Sequence, residues 1–230
     1  MNIGKIYSIP LNKETAYLAG VIVGDGHISN ACKSKSDKSK DYRISIEIIE
    51  RVYSEYIVDS IRAFVKTKSK IKERINNRGN RTKLYYFQFR NKSFHHFLTH
   101  DLCIPSGNKC SSVRVPEKIF GSLNLQVSFL AGLFDTDGGI WGNSIGFTSL
   151  SECLINDVSK ILSTINITHR KEKWLNRKYD RNYYGIHIQK KDSDRFLKHL
   201  PLKDKNKLKR ARCHVGVPEW PNGMDNSDKI

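Results

Sequence analysis

Long apolar runs are missing from this chain, and nothing in it approaches the roughly 18 consecutive residues that a membrane-crossing helix requires. The opening, MNIGKIYSIP, has neither the apolar centre of a secretory signal nor an arginine-rich amphipathic pattern. Cysteine is sparse: Cys32, Cys103, Cys110, Cys153 and Cys213 form no CxxC pair, and an odd count argues against a disulfide framework. The spacing between Cys103 and Cys110 is wrong for a zinc knuckle. These absences lead us to expect an intracellular protein without membrane association, in cytoplasm or nucleoid, or in an organelle matrix if organelle-encoded. Acidic residues are also short, at 23 against 40 lysines and arginines, a net charge of +17. Solubility needs only about 2–8 charges, so this excess points to a polyanionic partner, a nucleic acid. Hydrophobic residues at 38% and aromatics at 10% of 230 residues exclude a disordered chain and allow one large domain or two small ones.

What the chain does contain is a duplication. Residues 18–26 read LAGVIVGDG and residues 130–138 read LAGLFDTDG, identical at five of nine positions. The segments behind the two nonamers share an order of elements. In the first half, residues 26–31 and 42–48 suit strands joined by the loop CKSKSDKSKD. There Tyr42, Ile44, Ile46 and Ile48 alternate with Arg43, Ser45 and Glu47, the period of a half-buried strand. Ile57, Ile61, Phe64 and Val65 mark an amphipathic helix. Strands over 70–76 and 83–90 and a short helix over 93–100 close the unit.

The second half predicts strands over 139–141 and 144–148, then a helix through Leu154, Val158, Ile161 and Leu162. Strands over 169–175 and 183–190 and a helix over 194–199 follow. The fold class is therefore α+β, two pseudo-symmetric αββαββα units, each with an antiparallel sheet. We expect the units at 1–102 and 127–230, the second ending in a basic tail after Lys203 whose last ten residues fray. Residues 103–126 form an irregular linker with room for a short helix after Pro116.

Residues 16–23 are continuously apolar, so a helix there is buried nearly all round. Small residues recur at Gly20 and Gly24, and at Gly132 and Thr136, on one helical face where two backbones can approach closely. Gly26 and Gly138 stand where left-handed caps would end the helices. Packing the two helices about a pseudo-twofold axis brings Asp25 and Asp137 together at their C-terminal ends. Exposed carbonyls and partial negative charge gather there, so two carboxylates repel unless a hard cation bridges them. Magnesium, which takes carboxylate, carbonyl and phosphate oxygens, suits such a place.

The paired nonamers resemble the two motifs of the monomeric LAGLIDADG homing endonucleases, as do the stretches HDLCIPSGNK, IGFTSLSECLINDVSKIL and YGIHIQKKDSDRFL. The resemblance covers nearly the whole chain. It implies a divalent-metal-dependent endodeoxyribonuclease acting as a monomer on double-stranded DNA, with the sheets forming a DNA-binding saddle and no obligatory protein partner. Mg2+ is the implied metal, with Mn2+ or Ca2+ able to substitute in binding. The ligands implied are Asp25 and Asp137, with backbone oxygens of Gly24 and Thr136 as minor ligands. Asp135 fills the other acidic position of the second motif, where the first has Val23, and is read as structural. A basic residue at the end of each unit's last strand maps to Lys92 and to Lys191, with Lys190 competing. Glu47 stands late in the second strand, where the resemblance leads one to expect glutamine. The same scaffold also serves RNA maturases and DNA binders that no longer cleave.

In this architecture the open sheet faces meet the major groove. Alternation puts Arg43, Ser45 and Glu47 outward, with Lys70, Lys72, Arg74 and Asn76 on the third strand. In the second half the candidates are Arg170, His187 and Gln189. Lys33, Lys35, Lys38 and Lys40 crowd one hairpin loop suited to phosphate contact. Tyr85, Phe87 and Phe89 read as core, and His95, His96 and His100 lack the acidic or cysteine partners of a metal site.

Overall fold

The computed structural model describes residues 7–30, 41–76, 82–141 and 144–216. Lys33, Lys35, Lys38 and Lys40 lie outside them, as does the side chain of Asn76. Helix α1 (Lys13–Gly24) begins on a reciprocal cap in which the Asn12 side chain accepts from the Thr15 N–H. Every residue from Thr15 to Val23 is buried, as the unbroken apolar run requires. Helix α4 (Leu123–Asp137), capped by Ser122, is its counterpart. The two helices pack side by side at the centre of the molecule.

Glycine makes that packing possible. A Cβ on Gly20 would stand 2.1 Å from the Phe129 carbonyl oxygen, and one on Gly132 would stand 2.1 Å from that of Tyr17. Nearer the C-terminal ends, a Cβ on Gly24 would meet Thr136 Oγ1 at 2.1 Å. Gly26 and Gly138 correct an expectation. Neither adopts a positive φ; Asp25 closes α1 at φ −88° and Gly138 closes α4 at φ −62°. Glycine is needed there for room, because a Cβ would collide with the backbone of Ile22 or Phe134.

Each central helix hands the chain to a four-stranded antiparallel sheet. In the first, β1 (Gly26–Ile28), β2 (Arg43–Ile48), β3 (Lys72–Asn76) and β4 (Thr82–Arg90) take the order β1-β2-β4-β3. In the second, β5 (Gly138–Trp141), β6 (Ser144–Ser149), β7 (His169–Asn176) and β8 (Arg181–Ile188) take the equivalent order. Ile44, Ile46, Phe87 and Phe89 cover one face of the first sheet and pack under α2 (Arg51–Phe64) through Ile57 and Ile61. Helix α5 (Glu152–Thr164) does the same in the second half. Phe87 and Phe89 are core, as read from the sequence.

The short helix expected over 93–100 is α3 (Lys92–His96), running directly into a π-helical turn (Phe97–Asp101). In the second half β8 ends at Ile188, and Lys190 and Lys191 already belong to α6 (Lys190–His199). The described part of the basic tail forms α7 (Lys205–Val215), which buries Lys207, Ala211 and Val215 along one stripe, and the last ten residues lie outside the described ones. The linker is irregular but not loose, since Val113, Val115 and Ile119 are buried, and a 3-10 turn (Glu117–Gly121) follows Pro116. Both extensions cross to the opposite half. Arg114 reaches Asp157 of α5 at 3.1 Å, and Ser151 donates to the Val113 carbonyl. From α7, Asn206 donates to Glu50 at the start of α2. No described helix is long and apolar enough to cross a membrane.

Gly20→Ala and Gly132→Ala are each expected to destabilise the protein by about 3 kcal/mol, because the new methyl meets backbone that cannot yield locally. The comparison is Gly121→Ala, whose Cβ would meet nothing within 4 Å. That variant should unfold at the wild-type urea midpoint while the helix-pair variants shift down.

Candidate active site at the helix junction

Asp25 and Asp137 come together as the helix pairing requires. The position a Cβ would take on Gly24 lies 3.4 Å from Asp137 Cγ, so the last turns of α1 and α4 are in contact. Both aspartates keep an outward edge open to solvent. Protein closes round the rest, and loss of hydration raises the Asp25 carboxyl to about 6, with the charge of Asp137 adding to the rise and Lys207 and Lys109 opposing it. Asp137 is also raised, mainly by burial, against the pull of the same two lysines.

Those lysines were not anticipated. Lys109, from the linker, is buried, and its Nζ donates to the carbonyls of Ile22, Val23 (2.6 Å) and Gly24 (3.2 Å). Lys207, on α7, donates from Nζ to Thr136 O at 2.8 Å and Asp135 O at 3.2 Å. Each ammonium thus caps the C-terminus of one central helix, where unpaired carbonyls gather. Burial lowers the pKa of both, Lys109 to about 8, with the carboxylates holding them up.

Lys92 and Lys191, the expected basic residues, are elsewhere, and strand direction explains why. β1 leaves Asp25, β2 returns toward it, and β4 leaves again, so β4 ends far from the carboxylates. Gly26 is level with Ile46, and Ile46 with Phe87. Lys92 lies five residues beyond Phe87, about 16 Å along a strand. In the second half Gly138, Phe147 and Ile186 are level, and Lys191 again lies five residues farther on.

The same register brings the end of β2 to the site, and Glu47 is among the charges acting on Asp25. Its Oε1 accepts from Arg74 at 2.6 Å. Asp135 is structural as expected: it is buried, lies 2.6 Å from the Tyr17 hydroxyl, and accepts from the Lys203 N–H at 2.7 Å.

Arg43, Lys72 and Arg74 share the open face of the first sheet with Glu47, by register, while Ser45 points to the same side but is buried, so it is not exposed as expected. Lys70 does not. It precedes β3 and lines a groove with Glu55, Asp59 and Arg62 of α2, on the helix-covered side. Arg170 and His187 face each other across β7 and β8, while Gln189 is the exposed residue preceding α6. His95 is buried with Nε2 2.9 Å from the Ser29 carbonyl.

The donor chemistry fits a hard divalent cation: two crowded carboxylates with the carbonyl oxygens of Gly24 and Thr136 alongside. Each carbonyl has a second lone pair beyond the one its lysine takes. Among the described residues no group of three or more His, Cys, Asp or Glu side chains is placed to hold a metal. Water and phosphate oxygens would have to complete the shell.

Two αββαββα units joined through paired, glycine-faced helices, each helix ending in an aspartate, are the LAGLIDADG fold. Residues 124–201 match the LAGLIDADG-like domain family. The fold is that of the two-domain homing endonucleases. I-WcaI bound to its DNA recognition sequence superimposes with a TM-score of 0.62 at 20% identity, covering 92% of this chain and 89% of that one. I-DmoI in complex with DNA and Ca gives 0.59 at 19%, covering 84% and 94%. In sequence, the chain is 29% identical over 215 residues to a replication factor C small subunit of Methanocaldococcus jannaschii, covering 92% of this chain. It spans only about a tenth of that relative's length.

A carboxyl that binds its proton more readily folded than unfolded stabilises the fold as pH falls. Asp25, raised from 3.8 to about 6, therefore opposes folding above about pH 6 and ceases to do so as pH drops toward 4. Metal-free Asp25→Asn is expected to be more stable than wild type at pH 7.5, with the gap narrowing below about pH 6 and closing only as pH approaches 4 in urea titrations. A gap independent of pH would place the carboxyl in an ordinary aqueous setting.

Proposed function

We propose that this chain is a divalent-metal-dependent endonuclease that cuts both strands of a long, asymmetric duplex DNA target, with Mg2+ as its metal. The observation carrying this reading is the pair of carboxylates at the helix junction, each with its own helix-capping lysine, lying between two open sheet faces. The net charge of +17 and the DNA complexes of I-WcaI and I-DmoI support it.

Asp25 and Asp137, with the carbonyls of Gly24 and Thr136, would hold the cation. When bound, it supplies a water of lowered pKa and offsets charge on the scissile phosphates. Lys109 and Lys207 each place an ammonium on the protein side of one carboxylate, where it stabilises negative charge developing on a phosphate. Because the two units differ in sequence on their open faces, each would read a different half-site, and the target need not be palindromic.

The test is Mg2+-dependent cleavage of a randomised duplex library. Asp25→Asn and Asp137→Asn should abolish double-strand breaks while duplex binding survives. Binding without cleavage by the wild type would point instead to a maturase or a DNA binder, and intron RNA would be the next substrate.

Lys109→Met and Lys207→Met should slow single-turnover cleavage about a hundredfold or more. Lys92→Met and Lys191→Met should leave it within about threefold, at most weakening phosphate contact.

A further inference from the structure

The open face of the second sheet carries far more ring surface than that of the first, although Arg170, Arg181 and Asn176 share it. On the first, Arg43, Lys72, Arg74, Gln88 and Arg90 share one surface by register with Leu84 and a single ring, Tyr86, which lies under Arg74. Its charged and amide groups are ones that pair with phosphates and base edges. On the second, register brings Trp141, Trp174, Tyr183 and His187 to one surface.

Two glycines lay the indoles flat. A Cβ on Gly139 would stand 2.8 Å from the Trp141 ring, and one on Gly185 would stand 2.9 Å from the Trp174 ring. Tyr183 stacks beside Trp174 with centroids 6.0 Å apart and planes 19° apart. The His187 ring lies 5.0 Å from that of Trp141.

The polar groups among these rings already face one another. His187 Nε2 lies 2.9 Å from Glu172 and Nδ1 lies 3.2 Å from Ser144 Oγ. Glu172 also holds Arg170 at 2.9 Å. What the centre of this face offers outward is ring surface, with Trp174 still 37% exposed.

The sheet is continuous with the carboxylates, since β5 begins at the residue after Asp137. A duplex held at the helix junction therefore runs over it. In a major groove the apolar feature of a base pair is the thymine 5-methyl group, and aromatic side chains contact it. We propose that the second unit reads its half-site through thymine methyls packed on Trp141 and Trp174, while the first unit reads its half through hydrogen bonds and ion pairs. This rests on the duplex-cutting reading above. It makes the two half-sites chemically unlike: one recognised by methyl groups, the other by donors and acceptors.

The experiment uses the full chain and a duplex target selected from the randomised library. Thymine is replaced by deoxyuridine in one half at a time, which removes the methyl and leaves every base-pairing group in place. Replacement in one half should raise the Kd about tenfold, the worth of two buried methyl contacts, and replacement in the other less than twofold. Trp141→Ala with Trp174→Ala should weaken binding to the thymine duplex and erase the difference between thymine and deoxyuridine. Trp174→Leu, which keeps apolar bulk, should retain part of it, and a wild-type melting temperature should accompany each variant.

Small, equal effects in both halves would overturn the proposal while leaving the endonuclease reading intact. So would a deoxyuridine effect that survives in the double variant, or tighter binding to the unpaired strand than to the duplex. Failure of the wild type to bind or cut any duplex would take both readings down together.

Discussion

Everything in this molecule is arranged around the contact of two helix backbones. α1 and α4 approach so closely that Gly20 and Gly132 face each other's partner carbonyls with no space for a single added methyl. An approach of that kind buries both helices on all sides, which explains why residues 15–23 carry no polar face. It also forces the chain to end both helices at one point. The acidic pair is thus a product of the packing, and the cost of crowding it shows in the raised Asp25 carboxyl. The lysines beneath are the compensation: Lys109 and Lys207 hold the last carbonyls of the helices while drawing the carboxylates toward their charged forms.

Much of this was legible in the amino-acid order. The nonamers are local, their small residues sit at helical spacing, and the alternation of Ile44, Ile46 and Ile48 declares which face of β2 is covered. Asp25, Asp137 and the structural role of Asp135 follow from those patterns. The lysines did not follow, for two different reasons. Lys109 lies in a segment with no periodicity, 85 residues along the chain from the carbonyl of Gly24 that it holds, and only the tertiary path of the linker takes it there. Lys207 did leave a trace. With Ala211 and Val215 it forms a stripe at four-residue spacing, but the lysine-rich surroundings make the segment read as a basic, polar tail.

The misplacement of Lys92 and Lys191 has a more general cause. Periodicity shows that a strand exists and which side is buried, but not which end of it lies near a distant residue. That depends on how many antiparallel reversals separate the two. Here the strand leaving Asp25 is followed by one returning and one leaving again, so Glu47 arrives at the site and the far end of β4 does not. Lys70 differs for a separate reason: it stands before β3 begins, a boundary that alternation does not mark, and lines a groove with α2 instead.

The crossed extensions carry a consequence for how such a protein could be cut and rejoined. The linker anchors to α5 of the second half through Arg114 and Ser151, and α7 anchors to α2 of the first half through Asn206. The repeat visible in the sequence is therefore not an exchangeable module. A unit transplanted onto a foreign partner would bring its own capping lysine but lose the surface against which the extension bearing that lysine is braced. Recombination between relatives would succeed only where the receiving α2 or α5 already fits the incoming extension, so partner choice is written on the outside of the molecule as much as along the helix pair.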